Sequence, residues 1–133
     1  MELVLQQSTR LALAAFDALA RTPDRLSRAE LARRVGTTIH FLPQVLRPLI
    51  EAGWVESRRG PSGGYELSAT ARPVSLLQVV EAMEGPLGGR CLLRGGPCPS
   101  NDNCMFHTAW MTMQAELIGR LDDQPALRSR GVS

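Results

Sequence analysis

The chain has 133 residues, of which 44% are apolar and 21% charged, and its formal net charge is +2. This length suits one domain with an appended helix and excludes a multidomain enzyme, while the apolar content supports a packed core. No run approaches the roughly 20 apolar residues of a membrane span, and the first residues lack the basic region of a secretory signal. We therefore expect a soluble, cytoplasmic protein with no membrane partner.

The basic residues are unevenly distributed along the chain. All fifteen are arginine, whose planar guanidinium suits phosphates and guanine edges, although genomic base composition accounts for such a bias equally well. Residues 1–72 carry a net charge of +3 and residues 73–133 a net charge of −1. A surface that faces a polyanion is therefore expected in the first half.

The first two predicted elements are helices. Residues 6–21 place leucine, alanine and phenylalanine at helical spacing, which predicts a helix with a broad apolar face. Ser27 and Glu30 then match a capping box, in which the hydroxyl accepts from the N–H of residue 30 and the carboxylate reaches back. The second helix is predicted over 28–35, with Gly36 as its stop.

A third helix completes a predicted helix-turn-helix. Thr38 offers an N-cap, and apolar residues then recur at helical intervals up to Gly53. These residues are Ile39, Leu42, Val45, Leu46, Leu49 and Ile50. Proline is tolerated only in the first turn of a helix, so Pro43 predicts that the helix begins after Thr38. Pro48 predicts a kink. Many small bundles share this pattern of two helices joined by a turn that contains glycine.

A short β-hairpin follows the third helix. Residues 54–57 predict a strand, residues 58–64 a turn and residues 65–67 the returning strand. Directly after a helix-turn-helix, this hairpin is interpreted as a wing whose tip carries two arginines and three glycines. Glycines let the backbone approach a phosphate, and an arginine inserted into a narrow groove senses its width. The alternative is an ordinary loop with solvated arginines.

Two further helices are predicted in the second half. Ser75 and Gln78 form a second capping box that opens a helix over 76–84, while residues 85–103 predict no regular element. A long helix over 105–121 carries an apolar stripe, which is either core or, as we favour in so small a protein, a surface that pairs with a second copy. The stripe consists of Phe106, Trp110, Met113, Leu117 and Leu121.

These elements together define the expected fold. The chain is predicted to be mainly α with a small β-hairpin, arranged as a winged helix-turn-helix plus a long C-terminal dimerisation helix. We divide it into a winged helix-turn-helix domain (1–85), a Cys-rich loop (86–104), a dimerisation helix (105–122) and a flexible tail (123–133). The tail is expected to fray because it is polar and terminal.

The strongest chemical feature is the pattern Cys91-x6-Cys98-x5-Cys104-x2-His107. Three thiolates and an imidazole are ligands that select zinc or an iron–sulfur cluster. Wide spacing without a CxxC pair favours a cluster over structural zinc. The alternatives are free thiols or a regulatory disulfide, with His107 as a polar residue of its helix. An odd number of cysteines argues against a secreted disulfide framework.

No pattern in the sequence indicates an enzyme. The chain has only two histidines, His40 and His107, and no Ser/His/Asp set is apparent. A GxGxxG motif after a strand and a Walker-type loop are both absent from the sequence. The glycine-rich stretch over 60–64 lacks a lysine and lies in the predicted hairpin, which argues against phosphate chemistry.

Several segments together carry a family resemblance. They are FLPQVL (41–46), LIEAGWV (49–55), RGPSGGYEL (59–67), VVEAMEG (79–85) and the three-cysteine loop. With these segments, residues 1 to about 122 resemble the Rrf2 family of bacterial winged-helix regulators. The resemblance implies a homodimer joined through the C-terminal helix, whose two winged domains bind a palindromic operator in double-stranded DNA.

The resemblance also implies roles for individual residues. A recognition helix enters the major groove and a wing arginine reaches the minor groove. The matched recognition positions are Thr38, His40, Phe41, Pro43, Gln44 and Arg47, and the matched wing positions are Arg58, Arg59 and Ser62. Arg28 is a further DNA-binding candidate. The cluster ligands carry over to Cys91, Cys98 and Cys104, with His107 as the fourth ligand.

Three departures from the family pattern bear on function. The first cysteine gap is six residues where five is common, so we expect a different loop geometry. Pro43 stands where some members use a glutamate to choose among operators, and a carboxylate reading of cytosine is therefore impossible at that position. Residues 6–9 hold no acid, whereas nitric-oxide-sensing members take an N-terminal aspartate as a ligand. This favours His107 ligation and a 2Fe–2S over a 4Fe–4S cluster.

The expected function is therefore a homodimeric repressor. Its operator affinity would be controlled by an iron–sulfur cluster that senses redox, nitric oxide or iron status. The alternative is the same fold acting as a cluster-free thiol-redox or zinc-containing regulator. A more remote alternative is a protein-interaction module whose winged helix does not bind DNA.

Overall fold

The computed structural model describes residues 4–91 and 104–127. It contains the predicted helices and a two-stranded antiparallel hairpin, which confirms the mainly helical fold class. The helices are α1 (Gln7–Ala20), α2 (Arg28–Val35), α3 (Leu42–Glu51), α4 (Leu76–Glu84) and α5 (His107–Asp123), the strands are β1 (Val55–Arg58) and β2 (Gly64–Leu67), and a short 3-10 helix spans Ala69–Ala71. None of the helices in these two ranges is long and apolar enough to cross a membrane.

Helix α2 has the bounds predicted from its capping residues. The Ser27 hydroxyl accepts from the backbone N–H of Glu30 at 3.1 Å, and Gly36 ends the helix in the left-handed region at φ 85°. The reciprocal half of the predicted capping box is wrong, because the Glu30 carboxylate binds the guanidinium groups of Arg33 and Arg34 instead. These charge-assisted hydrogen bonds lower the pKa of Glu30 to about 2.

Helix α3 begins at Leu42, after the predicted N-cap, as the position of Pro43 requires. Thr38 instead caps a separate turn: its hydroxyl accepts from the N–H of Phe41 at 3.0 Å, and its carbonyl accepts from the N–H of Leu42 at 3.0 Å. Pro43 lies in the first helical turn, where its missing N–H costs no intrahelical bond. The helix then continues past Pro48 to its end.

The hydrophobic core lies where α1, α3 and the hairpin meet. Helix α3 contributes its whole inner face, and the fully buried residues of that face are Leu42, Val45, Leu46 and Leu49. Each fully buried leucine contributes about 1.5–3 kcal/mol relative to an exposed one. Phe16 of α1 meets Trp54 edge to face, with the two ring centroids 6.4 Å apart. The core therefore fixes α3 against the other elements and leaves its opposite face exposed.

Residues 124–127 differ from the predicted frayed tail. The carbonyl of Gln124 accepts from the N–H of Leu76 at 2.7 Å, and the N–H of Ala126 donates to the carbonyl of Val74 at 3.0 Å. The first N–H groups of a helix lack intrahelical partners, so the chain after α5 satisfies one of them at the start of α4. Residues 128–133 lie outside the described residues.

The end of α5 is also joined to α4 by a side chain. Ser75 forms the predicted capping box with Gln78, in which each side chain accepts from the other residue's backbone N–H. Its hydroxyl also donates to the Asp122 carboxylate at 3.1 Å. The start of α4 and the end of α5 are thus joined by this hydrogen bond.

Candidate nucleic-acid interface and cysteine segment

The turn between α2 and α3, together with the exposed face of α3, presents most of the predicted recognition residues. Thr38, His40, Pro43, Gln44 and Arg47 are exposed. The guanidinium of Arg47 binds the Glu51 carboxylate at 3.0 Å on the helix surface. Arg28 is exposed at the start of α2 and has no ion pair within the described ranges. This face can offer hydrogen-bond donors and acceptors to base edges and phosphates.

Phe41 is more buried than the sequence predicts, and Ile39 is more exposed. Phe41, a predicted DNA-contacting residue, is half-buried and packs against the core, so only part of its ring faces outward. Ile39, predicted as an apolar helix position, is 48% exposed and lies beside Thr38 and His40 in the turn. Because Pro43 delays the start of α3, the helical periodicity does not extend back to residue 39.

The wing is a hairpin held to the chain before α2. Strands β1 and β2 pair in the register Val55↔Leu67 to Arg58↔Gly64. Leu26 forms an isolated bridge with Tyr65, through reciprocal backbone hydrogen bonds of 2.8 and 3.0 Å. The wing is therefore anchored to the chain just before α2.

The carboxylate of Glu66 forms ion pairs with two arginines at the wing. It lies 3.3 Å from the Arg58 guanidinium and 3.9 Å from that of Arg25. Arg25 also donates to the carbonyl of Ser62 at the tip, at 3.2 Å. Arg59 is exposed and, in the part of the chain that the structure describes, has no ion pair.

Sequence reasoning missed Arg25 as a wing residue. Nothing in the local pattern relates Arg25 to a hairpin that begins 30 positions later. The signal that would have found it is the pairing of Leu26 with Tyr65, because that bridge places the preceding residue beside the wing.

Replacing Arg59 with alanine is expected to weaken DNA binding about tenfold at low salt and to lower the salt slope by about one. The physical reason is the loss of one unpaired cation from the wing tip. The measurement is fluorescence anisotropy on DNA that the protein has itself selected from a random library. Arg10→Ala is the matched control, since Arg10 is exposed on α1 next to Thr9, which contacts α4. Equal losses in the two variants would contradict an interface role for Arg59.

The cysteine segment (residues 86–107) is described at its two ends. Cys91 and Cys104 are half-buried free thiols, and Cys98 lies outside the described residues. The N–H of His107 donates to the Cys104 carbonyl at 3.1 Å where α5 begins. At the other end, the carbonyl of Arg90 accepts from the Trp110 indole at 2.6 Å. Both ends of the segment therefore meet the first turns of α5.

The ligand set is not assembled within the described residues. No group of three or more Cys, His, Asp or Glu side chains suited to a metal is found in residues 4–91 and 104–127. Cys91, Cys104 and His107 are present near the start of α5, and the remaining predicted ligand is Cys98. Thiolate and imidazole donors fit a cluster or zinc by chemical type.

The predicted stripe of α5 divides between two surfaces. Phe106, Met113 and Leu117 are about half exposed, whereas Trp110 and Leu121 are partly covered by their own chain. Residue 106 precedes the helix, which begins two residues later than predicted. The described residues thus leave three of the five stripe positions open to solvent.

Comparisons with known proteins agree with this architecture. Residues 5–125 match the Rrf2 family, described as an iron-dependent transcriptional regulator. The chain is 32% identical over 96 residues to the HTH-type transcriptional regulators IscR of Klebsiella pneumoniae (strain 342) and Escherichia coli O1:K1. The matched part covers 71% of this chain and 58–59% of those relatives.

Solved structures show the same fold. CymR, the global cysteine regulator of B. subtilis, superposes with a TM-score of 0.74 at 22% identity and 94% coverage of both chains. T. potens IscR superposes with a TM-score of 0.72 at 23% identity, covering 95% of this chain and 85% of its own. From the family match over residues 5–125 we conclude that the chain belongs to the Rrf2 family of transcriptional regulators.

Proposed function

We propose that the protein is a cytoplasmic homodimeric repressor that binds a palindromic operator and responds to the state of its cysteine segment. The observation that supports this most strongly is the combination of an exposed winged helix-turn-helix with two half-buried free thiols, Cys91 and Cys104, in the segment that leads to α5. A symmetric dimer fixes the distance between two half-sites. A small shift of α5 would therefore change operator affinity.

In this proposal α3 enters the major groove and the wing enters the adjacent minor groove. Exposed side chains at the start of α3 read base edges, and Arg47 contacts a phosphate after releasing Glu51. Exchange of an exposed ion pair for a phosphate costs little, since such pairs contribute little in water. The unpaired Arg59 at the wing tip suits the negative potential of a narrow minor groove.

The dimer is proposed to form through α5. The half-exposed side chains of Phe106, Met113 and Leu117 lie on this helix, and each gains a favourable free energy when it is removed from water. An isologous pair of helices would bury the three residues twice, once from each protomer.

Leu117→Glu is expected to weaken the dimer by at least about a hundredfold, because it would bury an unpaired carboxylate at the interface. Sedimentation equilibrium over a range of protein concentrations measures the change. Thr112→Glu is the matched control, since Thr112 is exposed on another side of the same helix. A Leu117→Glu protein that dimerises as tightly as this control would contradict pairing through α5.

An iron–sulfur cluster is the proposed sensing group, with a 2Fe–2S form favoured. Cys91, Cys98 and Cys104 would hold it as thiolates, and His107 would supply the fourth ligand. The cluster would supply reversible electron transfer and sensitivity to oxidants and nitric oxide. The chain's own part would be to present the thiols in the segment that leads to α5 and to bind the backbone of Gly89 and Arg90 against that helix.

The alternative is a thiol-based or zinc-containing regulator on the same fold. It is favoured by the structural likeness to Staphylococcus aureus CymR in its oxidized form, with a TM-score of 0.72 at 22% identity. The half-buried free thiols of Cys91 and Cys104 suit reversible oxidation as well as ligation.

The visible absorption spectrum of protein purified without oxygen, with its iron and sulfide content, tests the proposal. A brown protein with matched iron and sulfide is the expected result. A colourless protein that stays colourless after reconstitution would exclude the cluster and favour the thiol or zinc alternative. An electrophoretic mobility shift assay on the selected DNA tests the DNA-binding part of the proposal independently. The affinity is expected to fall steeply as the salt concentration rises.

A further inference from the structure

Gln114 is the only buried residue of α5 within the described structure, and it is polar. Its side chain is 6% exposed on a helix whose other residues are half-exposed or exposed. Burying a carboxamide is costly unless it is hydrogen-bonded. Its Oε1 accepts from the backbone N–H of Gly89 at 3.0 Å. The cysteine segment therefore supplies the partner for this buried group.

Trp110 holds the next residue of the same segment. Its indole N–H donates to the carbonyl of Arg90 at 2.6 Å. Residues 110 and 114 are four apart, so they project from one side of α5. Two adjacent backbone groups, the N–H of Gly89 and the carbonyl of Arg90, are thus bound by two side chains of one helix, immediately before Cys91.

The same point of the chain is also joined to the DNA-binding domain. The guanidinium of Arg90 donates to the carbonyl of Glu84, the last residue of α4, at 3.0 Å. The Glu84 carboxylate in turn accepts from the N–H of Gln6 at 2.8 Å and from the hydroxyl of Thr9, at the start of α1. Arg90 therefore lies at a junction of α5, α4 and α1.

We infer that Trp110 and Gln114 are positioning residues for Cys91. They fix the backbone before this thiol against α5, so that a change in the bonding of Cys91 is transmitted to α5 and, through Arg90, to α4. Its regulatory meaning rests on the proposed function, but the positioning itself requires neither cluster nor DNA. This role goes beyond that of any ligand or interface residue described above.

Alkylation of the reduced, cluster-free full-length protein by iodoacetamide tests the inference. Trypsin cleaves after Arg90 and Arg94, so Cys91 is recovered in its own peptide, and fragmentation of the peptide that contains Cys98 and Cys104 in the mass spectrometer separates the modification of these two. Gln114→Met keeps the side-chain size but removes the acceptor, and Trp110→Phe keeps an aromatic ring but removes the donor. Each is expected to speed the alkylation of Cys91 about fivefold, the effect of losing one hydrogen bond, and to leave Cys104 within twofold.

One control variant completes the design. Thr112→Ala, on an exposed position of the same helix, is expected to change neither rate. A merely structural role would loosen the whole start of α5, so equal acceleration at Cys91 and Cys104 would overturn the inference, as would an unchanged Cys91 rate. If Gln114→Met fails to fold, Trp110→Phe gives the same decision.

The outcome is separable from that of the proposed function. A colourless protein would exclude the cluster, yet selective acceleration at Cys91 would still support the positioning role. A brown, DNA-binding protein whose Cys91 rate is unaffected by both substitutions would keep the proposed function and overturn the inference.

Discussion

Replacing Gly64 with alanine is expected to destabilise the protein by about 3 kcal/mol or more and to abolish DNA binding through the wing. Gly64 has φ 144°, a conformation that L side chains rarely adopt. A Cβ there would overlap the carbonyl oxygen of Leu26 and lie 2.8 Å from its carbonyl carbon. The clash involves backbone on both sides, at the bridge that joins the wing to the chain before α2, so no side-chain rotation relieves it.

Gly60→Ala is the matched control for this prediction. Gly60 also has a positive φ, 100°, but nothing lies within 4 Å of the position of its Cβ. Gly60→Ala should therefore lower the free energy of unfolding by only about 1 kcal/mol, through conformational strain alone. Urea unfolding followed by circular dichroism measures both changes, and anisotropy on selected DNA measures binding. If Gly64→Ala proved no more destabilising than Gly60→Ala, this result would contradict the close packing of Gly64 against the backbone of Leu26.

Replacing all three cysteines with alanine is expected to reduce bound iron and sulfide to background and to remove signal-dependent control of DNA binding. The reason is that each thiolate is a proposed ligand, and a cluster cannot be held by the remaining imidazole. The fold should persist, because Cys91 and Cys104 are only half-buried and lie outside the core. Iron and sulfide assays, with DNA titrations before and after exposure to air, measure the effect.

His107→Ala is the informative companion to the triple variant. If His107 is the fourth ligand, this variant should alter the visible spectrum while the three thiolates still bind iron. Retention of full, signal-responsive DNA control by the triple cysteine variant would exclude every sensing scheme that uses these thiols, whether cluster, zinc or disulfide. If the triple variant loses DNA binding, an unchanged circular dichroism spectrum would assign the loss to the missing cluster and an altered spectrum would assign it to a folding defect.

The mechanism that these experiments address links two distant parts of the chain. The proposed DNA-binding surface lies on α2, α3 and the wing, whereas the described thiols, Cys91 and Cys104, belong to the cysteine segment that leads to α5. The hydrogen bonds of Arg90 to Trp110 and to Glu84 form a route from the residue before Cys91 to α5 and to the end of α4, which packs against α1 and α3. Movement along this route would alter the relation of α5 to α4, and in a dimer joined by α5 it would change the spacing of the two recognition helices.

The elements that could be predicted from sequence are those whose signals are local. The bounds of α2 and α4 follow from Ser27 and Ser75, because a cap and its helix are only a few residues apart. The late start of α3 follows from Pro43 for the same reason, and the glycines and arginines of the wing mark its turn. The spacing of the three cysteines and His107 is likewise a local signal, and it predicts the ligand types of the proposed site.

Only the tertiary structure decided features that depend on residues distant in sequence. The contact of Arg25 with the wing and the pairing of Gln124 with Leu76 carry no local signal. The division of the α5 stripe has the same origin, since helical periodicity gives a face but not what covers it. A buried glutamine on that helix becomes favourable only because residue 89 supplies its hydrogen bond. Sequence therefore determined the elements and their chemistry, and packing determined which side chains face core, partner or DNA.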